Sequence, residues 1–250
     1  MKVKGSIVLI TGANRGIGKG FAEEFLKAGA KRIYLGVRDL KSVSEFIKQA
    51  PEKLFPLVLD VTNPEQIRKA ADRARDLTIL VNNAGVLYGG SLFDKRRIEN
   101  ARLEMETNYF GPLFMARVFV PILKANGGGA LVNISSIAGL VAFPGIPTYC
   151  ASKAAVYFLS EEERMELAAQ GTQVMSVHPG PVDTDMARGF DLPKVSPNHV
   201  GQELIRALEA GETMLLPDPY SKEVYALFRK DPRLAAKKIR EGFAPAVKAA

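Results

Sequence analysis

Short runs rich in Val, Ile and Leu recur along the chain, and longer amphipathic stretches separate them. The runs are Ile7–Ile10, Ile33–Leu35, Leu57–Leu59, Ile79–Val81, Leu131–Ile134, Val174–Val177 and Met214–Leu216. A strand covered on one face alternates apolar and polar positions, whereas a strand covered on both faces is apolar throughout. The runs therefore predict strands of a buried parallel sheet. Ile17–Ala28, Pro64–Arg75 and Ala151–Ala169 have helix length and fall between runs. Such alternation builds βαβ units with right-handed crossovers. The expected fold is α/β, a Rossmann-like doubly wound parallel sheet of about seven strands with helices on both faces. No linker or low-complexity segment divides the chain, so residues 1–250 are expected to form one domain. Gly127–Gly129 predicts a helix stop before the fifth strand. Two further helices are expected near the C-terminus, in a basic tail spanning about 221–250.

Composition changes this picture little. The chain has 250 residues, 47% of them hydrophobic and 24% charged, which is ordinary globular usage. No apolar run approaches the length of a membrane span, and Ile7–Ile10 is too short for a secretory core, so neither a span nor a leader is expected. Cys150 is the single cysteine, which excludes an internal disulfide and suits a reducing cytoplasm. The net charge is +7, and from Lys222 to Ala250 eight Lys/Arg (Lys248 the last) face three acids, so five of the seven excess charges lie there. Leu, Ala and Ile interrupt these charges at helical spacing, and no stacking aromatics interleave the densest stretch. A solvated helix face is the reading, and no nucleic-acid partner is expected.

Candidate chemistry begins at Thr11-Gly12-Ala13-Asn14-Arg15-Gly16-Ile17-Gly18, which follows the first run and opens the first helix. Glycines there let the backbone turn sharply and approach a diphosphate, while a helix N-terminus offers unpaired N–H groups. The glycine spacing differs from the common Gly-x-Gly-x-x-Gly pattern, with three residues between the first two glycines and one before the third. An acid about twenty residues further on would hold an adenine-ribose hydroxyl, whereas an arginine suits a 2′-phosphate. Arg38 stands there, in Gly36-Val37-Arg38-Asp39, and Arg15 offers a second guanidinium to the same phosphate. Asp39 sits where an N-cap is wanted. The expected coenzyme is NADP(H).

Tyr149 and Lys153 lie four apart near the start of a predicted helix and so share a face. A free phenol titrates near pH 10, and a neighbouring ammonium favours its ionised form. The tyrosine then gives a proton to a carbonyl oxygen as hydride reaches carbon, or takes it back in reverse. Ser135-Ser136 ends the fifth run, at the carboxyl edge where open α/β sheets bind ligands, and a hydroxyl there holds a substrate oxygen. Asn82-Asn83-Ala84-Gly85 ends the fourth run on the same edge, its polar side chains bonding either neighbouring backbone or a ribose. Within the helical pattern Glu104–Leu123, Pro112 cannot donate to the carbonyl of Asn108. The freed carbonyl and kink leave an acceptor either for filling solvent or, beside the tyrosine and lysine, for a proton-relay water. His178 is read as structural, Cys150 as packing turned away from the Tyr/Lys face, and no metal site is proposed.

These motifs, in this order, resemble those of the short-chain dehydrogenase/reductase family of the roughly 250-residue type. They are the Thr11–Gly18 loop, Asp60-Val61, Asn82 to Gly85, Asn108, Ser136, Tyr149-Cys150-Ala151-Ser152-Lys153 and Pro179-Gly180; the likeness covers residues 5 to 216. The thirteen-residue interval from Ser136 to Tyr149 selects Ser136 over Ser135. The resemblance implies that Tyr149 is the acid/base, that Ser136 holds the carbonyl and that Lys153 lowers the tyrosine pKa and bonds the nicotinamide ribose. It implies that Asn108 anchors a water linking Lys153 to solvent. Asp60 and Val61 would contact adenine, Asn82 the adjacent ribose, and Val182 and Thr184 the carboxamide. Gly12, Asn14, Arg15, Gly16, Ile17, Gly18, Arg38, Ala84, Pro179 and Gly180 complete the expected coenzyme contacts. The family assembles as dimers or tetramers, so a homodimer or homotetramer is expected.

Leu87, Phe93, Phe143, Met186 and Phe190 are the candidate pocket residues, which suits a small hydrophobic or aromatic carbonyl substrate. Thr184–Pro197 is a candidate lid. The expected function is NADPH-dependent carbonyl reductase or alcohol dehydrogenase. The alternatives are a carrier-linked 3-ketoacyl reductase and a non-catalytic NADP(H)-binding regulator. A nucleotide-sugar epimerase would need a larger C-terminal substrate region.

Overall fold

A computed structural model of the protein describes residues 1–243, with Phe243 described by its backbone alone. The end of the basic tail, Lys248 included, lies outside the described residues. The strands are β1 (Ile7–Thr11), β2 (Arg32–Val37), β3 (Leu54–Val58), β4 (Ile79–Asn82), β5 (Ala130–Ile134), β6 (Gln173–Val177) and β7 (Met214–Leu215). They form one seven-stranded sheet in the order β3-β2-β1-β4-β5-β6-β7, with every pairing parallel. The α-helices are α1 (Gly16–Lys27), α2 (Ser44–Ile47), α3 (Pro64–Arg73), α4 (Arg97–Met105), α5 (Gly111–Ala125), α6 (Pro147–Leu167), α7 (Pro197–Ala210), α8 (Pro219–Lys230) and α9 (Pro232–Phe243).

Alternate residues of each strand feed opposite cores. Val8 and Ile10 pack with Phe21 and Phe25 of α1 and with Leu204 and Leu208 of α7. Ile7 and Leu9 pack with Ile67 of α3 and with Met115 and Phe119 of α5. Phe21, Phe25 and Phe119 are fully buried, and each such side chain contributes roughly 1.5–3 kcal/mol by leaving water. A smaller third cluster joins Ile137, Phe143, Tyr149 and Cys150 to Val224 of α8 and Ile239 of α9. The C-terminal helices thus pack against the segment that carries Tyr149.

The third strand begins three residues before the predicted run because it is an edge strand. Pro56 has no N–H to donate, and an edge tolerates that loss. Helix α6 starts at Pro147 rather than Ala151, proline being favoured in a first helical turn. Gly127, Gly128 and Gly129 all have positive φ, between α5 and β5 as expected. At Gly129 a side chain would collide with the Thr78 carbonyl. Among the described residues no helix is long and apolar enough to cross a membrane.

Candidate active site

The strand order reverses between β1 and β4, and the carboxyl ends of such diverging strands leave a crevice. A cleft of about 1020 Å³ opens there, running from Arg38 past the glycine loop to Tyr149 and Phe190. Its phosphate end is made by backbone. Gly12 and Gly16 have φ of +66° and +53°, a region that disfavours any residue with a Cβ. A Cβ at Gly18 would overlap the Gly12 carbonyl. The N-terminus of α1 has neither a side-chain cap nor an acid in its first turn. By contrast Asn63 caps α3, Ser196 caps α7 and Asp218 caps α8. The uncapped amides and the close backbone fit a diphosphate.

Asn83 shapes this loop. Its side-chain amide donates to the Thr11 carbonyl at 2.8 Å, and its backbone N–H and that of Ala84 both donate to Thr11 Oγ1 at 2.9 Å. Asn82 does not reach the cleft. Its side chain is buried in the sheet and donates to Asn133 Oδ1 at 2.9 Å, while Asn83, Ala84 and Gly85 make the cleft wall. The doublet carried the signal for Asn83, but only the β4–β5 register shows which asparagine turns inward.

Arg38 is exposed and lines the cleft, as do Asn14, Arg15, Ile17, Asp60 and Val61. Asp39 caps the turn after β2 by accepting the Lys41 N–H at 2.9 Å, the role its position suggested. Arg15 pairs with Asp185 at 3.4 Å, both side chains largely in solvent. Asp60 accepts from the N–H and hydroxyl of Thr62. Pro179, Gly180, Val182 and Thr184 form the opposite wall. A bridge between Val182, just before the candidate lid, and Val195, near its far end, ties its base together.

At the far end stand Ser136, Tyr149 and Lys153. The Lys153 Nζ donates to the Ile134 carbonyl at 2.8 Å and lies 5.7 Å from the centre of the Tyr149 ring. Ser136 lies close enough to Tyr149 to favour its ionised form, caps the turn Ile137–Gly139 and donates to the Pro179 carbonyl at 3.4 Å. Ser135 instead turns toward α6 and donates to the Lys153 carbonyl. Burial pushes the Tyr149 pKa up, outweighing Ser136, and lowers that of Lys153 to about 8. The lysine-driven depression of the phenol expected from the sequence is not found: burial raises the phenol, and Ser136, not Lys153, is the group that opposes it. Asn108 is buried in a π-helical turn, Glu106–Phe110, which is the form the distortion ahead of Pro112 takes. Its side chain accepts from Val86 N–H at 2.8 Å and donates to the Val86 carbonyl and to Ser152 Oγ, both at 2.9 Å.

Leu87, Phe143, Met186 and Phe190 line the substrate end, but Phe93 is 95% exposed and lies outside the cleft. An aromatic at a loop tip cannot be placed from sequence alone. Ile146, Leu192 and Tyr220 also line the cleft and were not anticipated; Tyr220 arrives on α8, distant in sequence from every motif. His178 is fully buried against the Ser136 carbonyl and Ser176 Oγ, and burial lowers its pKa to about 4. Cys150 packs against the Phe143 backbone.

The sequence profile described as short chain dehydrogenase matches residues 6–193. The chain belongs to the short-chain dehydrogenase family. Human "short-chain dehydrogenase/reductase 3" is 33% identical over 224 residues, covering 84% of this chain and 74% of that protein. The "NADP-dependent 3-hydroxy acid dehydrogenase" of Schizosaccharomyces pombe is 31% identical, covering 74% of this chain and 75% of its own length. A crystal structure of a short chain dehydrogenase from Burkholderia cenocepacia J2315 in complex with NADP superposes with a TM-score of 0.90. It is 38% identical and covers 96% of this chain and 99% of its own. This short-chain dehydrogenase is thus an oxidoreductase of the α/β class that uses a nicotinamide coenzyme.

Proposed function

We propose that the enzyme is an NADP(H)-dependent carbonyl reductase, reversible as an alcohol dehydrogenase, for small hydrophobic or aromatic carbonyl compounds. The observation that carries this reading is the meeting of Tyr149, Ser136 and Lys153 at the apolar end of a cleft whose other end suits a diphosphate. Arg38 and Arg15 at that phosphate end support NADP(H), as does the NADP carried by the Burkholderia cenocepacia relative.

The glycine loop and the first turn of α1 would hold the diphosphate; Arg38 and Arg15 would hold the 2′-phosphate, and Val182 and Thr184 the carboxamide. At the adenosine part, Asp60 and Val61 would meet the base, and backbone at Asn83 and Ala84 replaces Asn82 as the nearest surface. Bound there, the coenzyme would supply hydride to a carbonyl carbon. Ser136 Oγ holds the carbonyl oxygen, and Tyr149 gives it a proton. The phenol carries its proton at neutral pH and can donate it, and burial makes it a weaker acid than a free tyrosine. Lys153, titrating near 8, is fitted to return a proton. Asn108, joined to α6 through Ser152, holds the tyrosine's helix in place. Exposed Phe110, Phe158 and Met165 on neighbouring elements support self-association as a homodimer or homotetramer, and the single buried Cys150 suits a reducing cytoplasm.

The test is to follow NADPH and NADH absorbance across a panel of aryl and alkyl ketones. The reading expects turnover with NADPH and preference for apolar ketones. No turnover with any member, or turnover only with polar sugars, would count against it.

A further inference from the structure

Val86, Leu87 and Tyr88 line the cleft and open the segment 86–91, a stretch without secondary structure between β4 and α4. A loop of this kind normally satisfies its backbone with water. Here buried side chains do so. The Arg97 guanidinium is 3% exposed and donates to the carbonyls of Tyr88 at 2.9 Å, Gly89 at 2.6 Å and Ser91 at 2.8 Å. Glu104 is fully buried, and its Oε1 accepts the Tyr88 N–H at 2.7 Å. Asn108 clasps Val86 at both its N–H and its carbonyl. Gly90 adds a bond across the cleft mouth to the Gly145 carbonyl at 2.8 Å.

Arg97, Glu104 and Asn108 are spaced seven and four residues apart, so they form one stripe along α4 and the π turn that follows. The same stripe reaches the helix of the acid/base. Arg97 Nη1 lies 3.3 Å from Thr148 Oγ1, next to Tyr149, and Asn108 bonds Ser152. A buried guanidinium and a buried carboxylate are costly to desolvate, and Glu104 Oε2 has no donor among the described residues. Hydrophobic side chains would cover a core more cheaply, so stability alone is a poor reason for them.

We propose that Arg97 and Glu104 are positioning residues that fix the segment 86–91, with Leu87 and Tyr88, at a set distance from Tyr149 and thereby determine which carbonyl compounds are accepted. The inference rests on the carbonyl-reductase reading for its substrates, but the fixed wall itself does not.

Glu104→Gln keeps an acceptor for the Tyr88 N–H, whereas Glu104→Leu removes it. Thr148→Val removes only the hydroxyl that joins Arg97 to the tyrosine's helix, and Thr148→Ser restores it. For each variant three quantities are measured: amide hydrogen exchange at 86–91, the Kd for NADPH, and the ratio of kcat/KM for a bulky aryl ketone to that for a small alkyl ketone. In Glu104→Leu, Tyr88 exchange should quicken about tenfold, the value of one buried hydrogen bond. The substrate ratio should move by a similar factor, chiefly through KM, with NADPH affinity unchanged. Glu104→Gln and Thr148→Ser should behave like wild type, and Thr148→Val should shift the ratio even if Glu104→Leu fails to fold. An unchanged ratio in both disruptive variants, or a Gln variant as impaired as Leu, overturns the proposal. A wild type inactive on every ketone would sink the carbonyl-reductase reading instead. Amide exchange would then judge the wall, and unaltered Tyr88 exchange in Glu104→Leu would overturn it.

Discussion

The ammonium of Lys153 lies 5.7 Å from the centre of the Tyr149 ring, and both groups are buried where the cleft meets α6. Their titrations are displaced in opposite senses. Burial raises the phenol and lowers the lysine to about 8, so at neutral pH the phenol holds its proton while the ammonium lies close to its own titration.

This separation predicts a pH profile. For ketone reduction, kcat/KM should be level through neutrality and fall above about pH 8, as Lys153 loses its proton. Steady-state reduction between pH 6 and 10 checks this. A fall beginning near pH 6 instead would assign the limiting group elsewhere, and His178 is not a candidate because it is already neutral there.

Coenzyme choice is predicted to depend on Arg38 and Arg15. The pair Arg38→Asp and Arg15→Ala should lower kcat/KM for NADPH by about tenfold to a hundredfold, the value of one charged hydrogen bond, and improve NADH relative to it. Arg15 also loses its exposed pairing with Asp185, but a bond that open to solvent contributes little. Unchanged discrimination between the two coenzymes would contradict the assignment.

A second titration concerns stability. Glu163 on α6 is buried beside Asn133 and Ser160, and burial raises its pKa to about 7. The folded state therefore holds a proton that the unfolded chain releases near 4.5. The stability this group contributes is present below pH 4.5 and lost as pH rises through about 7. Thermal unfolding of wild type and Glu163→Gln should show the variant gaining over that window, by something on the order of 2 kcal/mol. Parallel pH curves would show that Glu163 is ionised throughout.

The glycine loop gives a third kind of prediction. Gly18→Val should abolish tight coenzyme binding, since its side chain would meet the Gly12 carbonyl and the Asn83 amide that shapes the loop. Titration of coenzyme fluorescence measures it. The sheet should persist by circular dichroism, because the overlap is confined to the loop and the start of α1.

Much of this architecture is legible in the residue pattern, for a physical reason. A strand buried on both faces is rich in Val, Ile and Leu on both sides, so Ile79–Val81 reads directly as sheet, while the edge strand with Pro56 does not. Tyr149 and Lys153 are readable because helix period places them on one face, and the strand end gives the Ser135–Ser136 doublet, within which the family resemblance selects Ser136. Asn82 is different, because its direction depends on Asn133 standing beside it in the neighbouring strand. Phe93 reads as pocket and is surface for a similar reason, a loop having no period to orient it. Arg97 and Glu104 carry no sequence signal, charged helix residues being ordinarily exposed, and only the loop laid over them makes them buried. Tyr220 comes to the cleft from α8, through a packing that no local pattern encodes.

The central claim is that the Tyr149 hydroxyl delivers the proton, and the Tyr149→Phe variant addresses it most directly. Removing one oxygen should leave the Kd for NADPH nearly unchanged and lower kcat for ketone reduction by about 10²- to 10⁴-fold. A variant that still reduces ketones at a rate close to wild type would contradict the account.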